Sequence, residues 1–370
     1  MNADRAAKRV VFAPDSFKGT ATAADAARAL ADGWAGERPG DRLALAPMAD
    51  GGEGTLEAFA AAGPGGRRLP VRVTGPDDRP VASEWLLLPD GTAVVELANT
   101  SGLTLLDTPR PLDAHTRGFG QAVRAALASG VRRLVLAIGG SSSSDGGAGV
   151  LAALGGRLLD AAGRPIADGA RGLEALAAVD LSGMAPPPPD GAVVVTDVTS
   201  PLLGPAGAAA VFAPQKGASP GEVERIERAL ARLARALPAV DAAAPGTGAA
   251  GGAGFGLLAW GARLAPGSAA VADAIGLDAA LAGSDLVVTG EGRFDSQSAA
   301  GKVPMHVRRA AERAGARALL VAGAIEADAR AAGFADAVSL TELAGGAGPA
   351  LADPLRWLRE AGARLARAPR

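Results

Sequence analysis

The sequence predicts an α/β protein with a mainly parallel sheet. Short apolar runs alternate with longer Ala-rich segments of helical periodicity along the 370 residues, and this alternation is typical of α/β domains. The runs Val193–Thr196 and Leu286–Thr289 are apolar up to their last residue, which fits strands covered on both faces. The length suggests two domains.

Each predicted strand is a short apolar run that ends at turn residues, and each predicted helix has apolar residues on one face. The strands are Arg9–Ala13, Leu43–Ala46, Leu86–Leu88, Val94–Leu97, Leu134–Ile138, Val193–Thr196, Leu286–Thr289 and Leu319–Ala322. The helices are Ala23–Trp34, Thr55–Ala62, Thr116–Ala128, Val150–Leu154, Glu222–Leu237, Pro304–Ala314 and Pro354–Arg367. Gly63–Pro80, Ala185–Gly191 and Pro245–Gly256, rich in Gly or Pro, are predicted loops or linkers.

The composition excludes several classes of function. The net charge is −2, so no basic excess is present to bind a nucleic-acid backbone. The absence of Cys removes disulfides, thiolate catalysis and Cys-ligated metals. No apolar run is long enough for a membrane span, and the first residues lack the apolar stretch of a signal peptide. We therefore expect a cytoplasmic protein.

Lysine is rare in this chain. The four lysines are Lys8, Lys18, Lys216 and Lys302, and the other basic residues, 37 − 4 = 33, are Arg. Three of the four lie in dense polar motifs, DSFKG, PQKG and GKVP. A retained Lys can mark a site that needs a compact ammonium group, although chance in so small a sample gives the same pattern.

Polar motifs follow five of the predicted strands. They begin at Asp15, Asp50, Gly139, Asp197 and Glu291. Ligands bind at the carboxyl ends of strands in open α/β sheets, so we expect all five motifs along one edge. Asp, Gly and Ser are also ordinary turn residues, but five such motifs together favour a binding site.

The Gly/Ser-rich loop after the fifth predicted strand is the best candidate for phosphate binding. Small residues allow close backbone approach, and free amides at the start of the following helix attract an anion. The candidates are Gly139, Gly140, Ser141, Ser142, Asp145, Gly146 and Gly147. The alternative is a Gly-rich connection with an Asp or Ser helix cap. No Walker A motif is present.

The carboxylates in these motifs are the second feature. Asp197, Glu291 and Asp295 are the best candidates for binding Mg²⁺, which prefers oxygen ligands. For each acid alone, helix capping or pairing with a nearby Arg is an equally good interpretation. For the two histidines the sequence favours structural roles over catalytic ones. His115 is predicted to cap a helix, and His306 is predicted to be a solvated surface residue. Gly246–Gly251 matches a dinucleotide fingerprint but lacks the strand that must precede it.

The motifs APDSFKGT, ADGGEGT, ANTSGL, GGSSSSDGGAG, TDVTSPLLG, FAPQKGA and TGEGRFDSQSAAGKVP occur in this order between about Val10 and Ala324. Together they resemble the bacterial glycerate kinase family, which acts on D-glycerate and ATP. Ser142–Ser144 and Ser200 depart from the family pattern, where Ala-Thr-Asn and Asn are expected. His115 lies in a further diverged segment.

The resemblance implies a flavodoxin-like α/β domain of residues 1–70 and 276–370, with a second α/β domain of different topology, residues 71–275, inserted into it and the active site in the cleft between them. It implies a Mg²⁺-dependent ATP:glycerate phosphotransferase, a monomer or homodimer, with 2-phosphoglycerate favoured over 3-phosphoglycerate as product. The remaining alternatives are a nicotinamide-dependent oxidoreductase of a small hydroxy acid and an inactive sensor that binds glycerate or nucleotide.

The resemblance also implies roles for the candidate site residues. Asp15 or Asp197 accepts the proton of the substrate hydroxyl, and Lys18, Lys216 and Lys302 are candidates for neutralising the transferred phosphoryl group or holding the glycerate carboxylate. The substrate-binding candidates are Ser16, Asp50, Asn99, Ser101, Gln215 and Lys216.

Overall fold

The computed structural model describes residues 6–17, 19–62, 65–299 and 302–368. Its strands, in chain order, are β1 Arg9–Phe12, β2 Arg42–Leu45, β3 Arg67–Thr74, β4 Pro80–Leu87, β5 Thr92–Glu96, β6 Arg133–Ala137, β7 Arg157–Leu159, β8 Ala178–Asp180, β9 Ala192–Val195, β10 Arg263–Ala265, β11 Leu286–Phe294, β12 Arg317–Ile325 and β13 Asp336–Ser339.

The helices, also in chain order, are α1 Ala23–Glu37, α2 Thr55–Ala62, α3 Ala98–Ser101, α4 Arg117–Ala128, α5 Ala148–Ala153, α6 Gly169–Leu173, α7 Ala208–Phe212, α8 Pro220–Ala236, α9 Ala249–Trp260, α10 Gly267–Ala274, α11 Leu277–Leu281, α12 Ser296–Ala299, α13 Val303–Arg313, α14 Leu340–Leu343, α15 Ala347–Ala352 and α16 Pro354–Arg367. Short 3₁₀ turns cover Leu103–Leu105 and Pro214–Lys216. No helix in the described ranges is long and apolar enough to cross a membrane.

The chain divides into two compact units. Unit 1 comprises residues 1–50, 57–64 and 268–370, and unit 2 comprises residues 51–56 and 65–267. The sequence-based boundaries lay after residues 70 and 275. The short segment 51–56 belongs to unit 2, although it was expected in the first domain.

Unit 1 is built on a five-stranded parallel sheet with the order β13-β12-β11-β1-β2. Numbered within the unit, this order is 2-1-3-4-5, the order of flavodoxin-like folds. The predicted flavodoxin-like domain is therefore confirmed.

Helices α1 and α16 of unit 1 pack closely against each other. A Cβ atom on Gly33 of α1 would lie 1.9 Å from the carbonyl oxygen of Arg359, and one on Gly362 of α16 would lie 2.1 Å from that of Leu30. Phe12 of β1 meets Trp34 edge to face, with 6.0 Å between ring centroids. The core of this unit thus depends on glycine where the two helix backbones approach.

Unit 2 has a mixed six-stranded sheet with the order β10-β9-β6-β5-β4-β3. Strands β5, β6, β9 and β10 run parallel, whereas β3, β4 and β5 form antiparallel pairs. Strands β7 and β8 form a separate antiparallel pair. The second α/β topology expected from the family resemblance is present.

Each predicted strand and helix corresponds to an element, but two predicted loops are wrong in part. Within Gly63–Pro80, Arg67–Thr74 forms the edge strand β3, where alternate residues are exposed and Pro70 is tolerated. Within Pro245–Gly256, Ala249 begins helix α9, although residues 250–252 have positive φ angles. Ala185–Gly191 forms neither helix nor strand, as predicted.

Candidate active site

The polar motifs lie at the carboxyl ends of parallel strands in two different sheets. In unit 1, Asp15 and Asp50 follow β1 and β2, and Glu291 lies in the last part of β11. In unit 2, the Gly139 loop follows β6 and Asp197 follows β9. The expectation of one shared edge was wrong because the chain builds two sheets. Each sheet still presents its motifs where α/β proteins bind ligands.

Asp15 lies against the central strand of unit 1. Its side chain is buried, and its Oδ1 accepts a hydrogen bond from the Ser16 amide at 2.7 Å. The Asp15 amide donates to the carbonyl oxygen of Gly290 at 2.8 Å. This bond places Asp15 beside β11, one residue from the position of Glu291. The Ser16 hydroxyl is buried and has no hydrogen-bond partner among the described residues.

Glu291 is the most perturbed acid of unit 1. Its side chain is 7% exposed, and burial raises its pKa to about 7. The charges of Asp295 and Asp50 raise the pKa further, whereas a hydrogen bond from Ser298 and the charge of Lys302 lower it. The charges of the predicted residues Asp50, Asp295 and Lys302 therefore all act on the Glu291 carboxylate.

The donor set around Glu291 suits a divalent cation. Glu291 Oε1 is buried and has no hydrogen-bond partner among the described residues, a costly state for a carboxylate oxygen. A hard cation would supply the missing partner, and carboxylates are the ligands Mg²⁺ prefers. Glu291 and Asp295 thus fit a magnesium site.

Asp295 and Lys302 lie at the two ends of the segment that follows β11. Asp295 Oδ1 accepts hydrogen bonds from the Ser298 amide at 3.0 Å and the Ser298 hydroxyl at 3.3 Å, which caps α12. Lys302 is the N-cap residue of α13 and is half-buried. Lys18, predicted as a third cation of the site, lies outside the described residues.

In unit 2, Asp145 organises the Gly/Ser loop. Its carboxylate is fully buried. Oδ2 accepts from the Thr116 amide at 2.9 Å, the Thr116 hydroxyl at 2.8 Å and the Gly149 amide at 3.1 Å, and Oδ1 accepts from the Gly147 amide at 3.1 Å. Asp145 therefore occupies the start of α5 itself, and this agrees with the capping alternative.

The expected free amides of this loop are engaged within the protein. Besides the Gly147 amide, the Ser142 amide donates to the carbonyl of Ser101, and the Gly146 amide donates to Gly251. Ser142 to Asp145 are almost completely buried. The expectation of an open amide cradle across the loop was wrong because Asp145 and neighbouring carbonyls satisfy these donors. Gly140 is exposed and Gly139 is half-buried, so the accessible part is the beginning of the loop.

Gly139 brings this beginning against the Gly51–Gly52 segment of the same unit. A Cβ atom on Gly139 would lie 2.3 Å from Gly52 Cα, and its amide donates to the Gly51 carbonyl at 3.0 Å. Any larger residue at position 139 would force the two backbones apart. The ADGGEGT and GGSSSSDGG motifs therefore meet in part within unit 2.

Glu96 is a residue that the sequence analysis missed. It ends the buried strand β5, is 5% exposed, and accepts from the Gly54 amide at 3.1 Å and the Leu56 amide at 2.9 Å. Its carboxylate thus holds the segment before and at the start of α2. The available signal was a single acid within the otherwise apolar run Val94–Leu97.

Lys216 is buried, and it reaches the Gly/Ser loop. Its ammonium donates to Ser141 Oγ at 2.8 Å and to the Ser143 carbonyl at 2.5 Å. Burial lowers its pKa to about 7, and the charge of Asp145 opposes this shift. Lys216 is only 3% exposed, because the Gly/Ser loop covers its ammonium. The neighbouring Gln215 is exposed.

Three further predicted residues have defined places in unit 2. Asn99 Nδ2 donates to the Glu84 carbonyl at 3.3 Å, and its buried Oδ1 has no partner among the described residues. Ser101 is fully buried; its carbonyl accepts from the Ser142 hydroxyl at 2.8 Å. Asp197 Oδ1 accepts from the Gly267 amide at 2.7 Å. Asn99 retains binding capacity, whereas Ser101 supports the loop.

The two histidines differ from each other. His115 is 1% exposed, with Nε2 3.3 Å from Asp78 Oδ1. Asp78, His115 and Asp168 are close enough for a metal, but Arg117 pairs with Asp168 at 2.6 Å, and its amide donates to His115 Nδ1. Because the Arg117 guanidinium engages both oxygens of the Asp168 carboxylate, this cluster does not suit a metal. His306 is half-buried rather than solvated, and burial lowers its pKa.

Comparison with known proteins identifies the class as an α/β kinase. The model of the glycerate kinase family matches residues 10–370. A glycerate kinase of Bacillus subtilis (strain 168) is 41% identical over 337 residues, covering 87% of each chain. A glycerate 2-kinase of Escherichia coli (strain K12) is 40% identical over 329 residues, covering 86% of each.

A crystal structure described as glycerate kinase 2 from Salmonella typhimurium LT2 has the same overall fold. Its TM-score is 0.81 at 40% identity, and 98% of each chain is covered. The chain therefore belongs to the glycerate kinase family. Membership of this family confirms the prediction of an ATP-dependent kinase.

Proposed function

We propose that this protein transfers the γ-phosphoryl group of ATP to a hydroxyl of D-glycerate, with the 2-hydroxyl as acceptor. The family membership supports the reaction class, and the relative named glycerate 2-kinase favours 2-phosphoglycerate as product. The observation that carries the mechanism is the buried carboxylate of Glu291. One of its oxygens has no hydrogen-bond partner among the described residues, and the charges of Lys302, Asp295 and Asp50 act on it.

Glu291 and Asp295 of unit 1 are the proposed Mg²⁺ ligands. Asp197, the third ligand predicted from the sequence, stays a prediction. When bound, Mg²⁺ would supply positive charge to neutralise the phosphates for in-line transfer. Phosphoryl transfer needs positioning and charge neutralisation more than covalent catalysis. The ammonium groups of Lys302 and Lys18 are proposed to neutralise negative charge on the transferred phosphoryl group.

The beginning of the Gly/Ser loop is the proposed contact for the nucleotide phosphates. Gly139 and Gly140 allow close backbone approach, and Ser141 adds a hydroxyl. Ser142, Asp145, Gly146 and Gly147 act behind them, because their polar groups hold the shape of the loop. The first three predicted loop residues thus contact the phosphates, and the other four support the loop.

The acceptor side of the reaction needs a base and hydrogen-bonding groups. Asp15, a carboxylate held by the Ser16 amide, is the proposed base, with Asp197 as the alternative. Ser16, Asp50, Asn99 and Gln215 are the proposed contacts to the glycerate hydroxyl and carboxylate groups, since they offer both donors and acceptors.

The experiment is the release of ADP by purified protein, measured with a coupled assay. We expect ADP only when Mg-ATP and D-glycerate are both present, and no reduction of NAD or NADP with glycerate. ADP release that does not depend on D-glycerate would contradict the proposal. The oxidoreductase alternative has little support, because the Gly246–Gly251 motif follows α8 and not a strand.

A further inference from the structure

Lys216 joins two segments that are distant in sequence. It ends the 3₁₀ turn Pro214–Lys216, and its ammonium donates to Ser141 and Ser143, 75 and 73 residues earlier. Both acceptors lie in the Gly/Ser loop. Within the described residues, the Lys216 ammonium donates hydrogen bonds to these two groups. The side chain is 3% exposed.

The loop and the lysine depend on each other. A buried ammonium is costly unless acceptors and opposite charge surround it. Ser141 Oγ and the Ser143 carbonyl are the acceptors, and the Asp145 carboxylate supplies the charge. If the beginning of the loop moved away, the ammonium would lose its partners. The Lys216 ammonium therefore stabilises the loop conformation in which Ser141 and Ser143 accept its hydrogen bonds.

The hydrogen bond to Ser141 also sets the direction of the serine hydroxyl. Because Ser141 Oγ accepts from an ammonium, its own proton is left to donate to another group. Hydrogen bonds in such chains polarise one another, so this hydroxyl becomes a stronger donor. Ser141 is 8% exposed and adjoins the exposed Gly140. An anion at the beginning of the loop is the acceptor that this geometry favours.

We propose that Lys216 is a positioning residue that acts through Ser141, fixing the Gly139–Ser141 backbone and directing the Ser141 hydroxyl at a nucleotide phosphate. Lys216 does not contact substrate or nucleotide itself. This inference rests on the proposed function in assigning the nucleotide to the beginning of the loop. It replaces the direct substrate contact that the sequence suggested for this lysine.

A double-mutant cycle tests the inference. Binding of a non-hydrolysable ATP analogue with Mg²⁺ is measured by calorimetry for the wild type, Lys216→Met, Ser141→Ala and the double variant. If Lys216 acts through Ser141, each single change weakens binding about tenfold, the size expected for one charge-assisted hydrogen bond. The double variant then binds no more weakly than Lys216→Met, because the two residues act as one unit.

Ser129→Ala is the matched control. The Ser129 hydroxyl is exposed, lies in the same unit outside the Gly/Ser loop, and donates to the Ala125 carbonyl at 3.1 Å. We expect wild-type nucleotide binding. In steady-state kinetics, Lys216→Met and Ser141→Ala should raise KM for ATP and leave KM for D-glycerate within about twofold.

Effects that multiply to about a hundredfold in the double variant would overturn the proposal, because Lys216 would then act independently of Ser141. If Lys216→Met does not fold, Ser141→Ala decides: wild-type binding by this variant overturns the proposal. No binding by the wild type also overturns it. A wild type that binds the analogue but forms no phosphoglycerate instead contradicts the proposed function, and the binding cycle remains interpretable.

Discussion

Asp145 and Thr116 are joined by two hydrogen bonds, from the Thr116 amide at 2.9 Å and from its hydroxyl at 2.8 Å to the same carboxylate oxygen. The pair ties the Gly/Ser loop to the start of α4. The same Asp145 oxygen also accepts from the Gly149 amide in α5. One buried carboxylate thus connects a strand end and the starts of two helices.

Replacing Asp145 should destabilise unit 2 strongly. Asp145→Ala leaves the Thr116, Gly147 and Gly149 amides without their acceptor in the interior, so we expect the free energy of unfolding to fall by about 3 kcal/mol. Asp190→Ala, which breaks an exposed ion pair with Arg132, is the matched control and should cost less than about 1 kcal/mol. Urea denaturation measures both, and equal losses would refute the organising role of Asp145.

Removing the charge of Glu291 should abolish most turnover. Glu291→Gln keeps the shape but loses a metal ligand, and we expect kcat to fall about 100-fold or more. Glu326→Gln alters an exposed acid of the same unit that pairs with Arg293, and it should retain wild-type kcat. The coupled ADP assay compares the two variants, and near-normal turnover by Glu291→Gln would exclude it as a ligand.

Stabilisation by Mg²⁺ should depend on pH. The pKa of Glu291 is raised from its ordinary 4.5 to about 7, so between these values the folded chain holds a proton that the unfolded chain has lost. This group therefore lowers stability as pH rises through that window, and the proton competes with the metal.

Thermal melts with and without MgCl₂ in the absence of nucleotide measure this effect. We expect the rise in Tm caused by Mg²⁺ to be larger at pH 8 than at pH 6, and the difference to disappear in Glu291→Gln. An equal rise at both pH values in the wild type would show that Glu291 does not bind the metal.

Lys302 should act in the transition state. Lys302→Ala removes the ammonium that lies near Glu291, and we expect kcat to fall about 100- to 1000-fold with a small change in folding stability. Lys8→Ala changes another half-buried lysine of unit 1 outside the polar motifs and is the control. Steady-state kinetics with saturating ATP and D-glycerate compares them. A Lys302→Ala variant with the kcat of Lys8→Ala would remove Lys302 from the mechanism.

The sequence predicts local elements well where burial alone determines them. The apolar runs around Val193 and Leu286 become β9 and β11, since strands covered on both faces are apolar throughout. It predicts β3 poorly, because an edge strand with Arg and Pro on its exposed positions resembles a loop. The helix beginning at Ala249 was hidden for a similar reason, since glycine favours no regular structure.

The site is less predictable than the elements, because its polar groups meet across long stretches of chain. Nothing around Lys216 in the sequence shows that it turns inward while Gln215 stays exposed. Its acceptors lie 73 and 75 residues away, and sequence spacing does not encode such a contact. The engaged amides of the Gly/Ser loop were missed for the same reason, since Ser101 and Gly251 reach them from distant segments.

The most direct test of the account is phosphorus NMR of the products formed from Mg-ATP and D-glycerate. We predict the signal of 2-phosphoglycerate together with that of ADP. A 3-phosphoglycerate signal would contradict the assignment of the acceptor hydroxyl. The absence of any phosphoglycerate, from folded protein alongside an active control kinase, would contradict D-glycerate as the substrate.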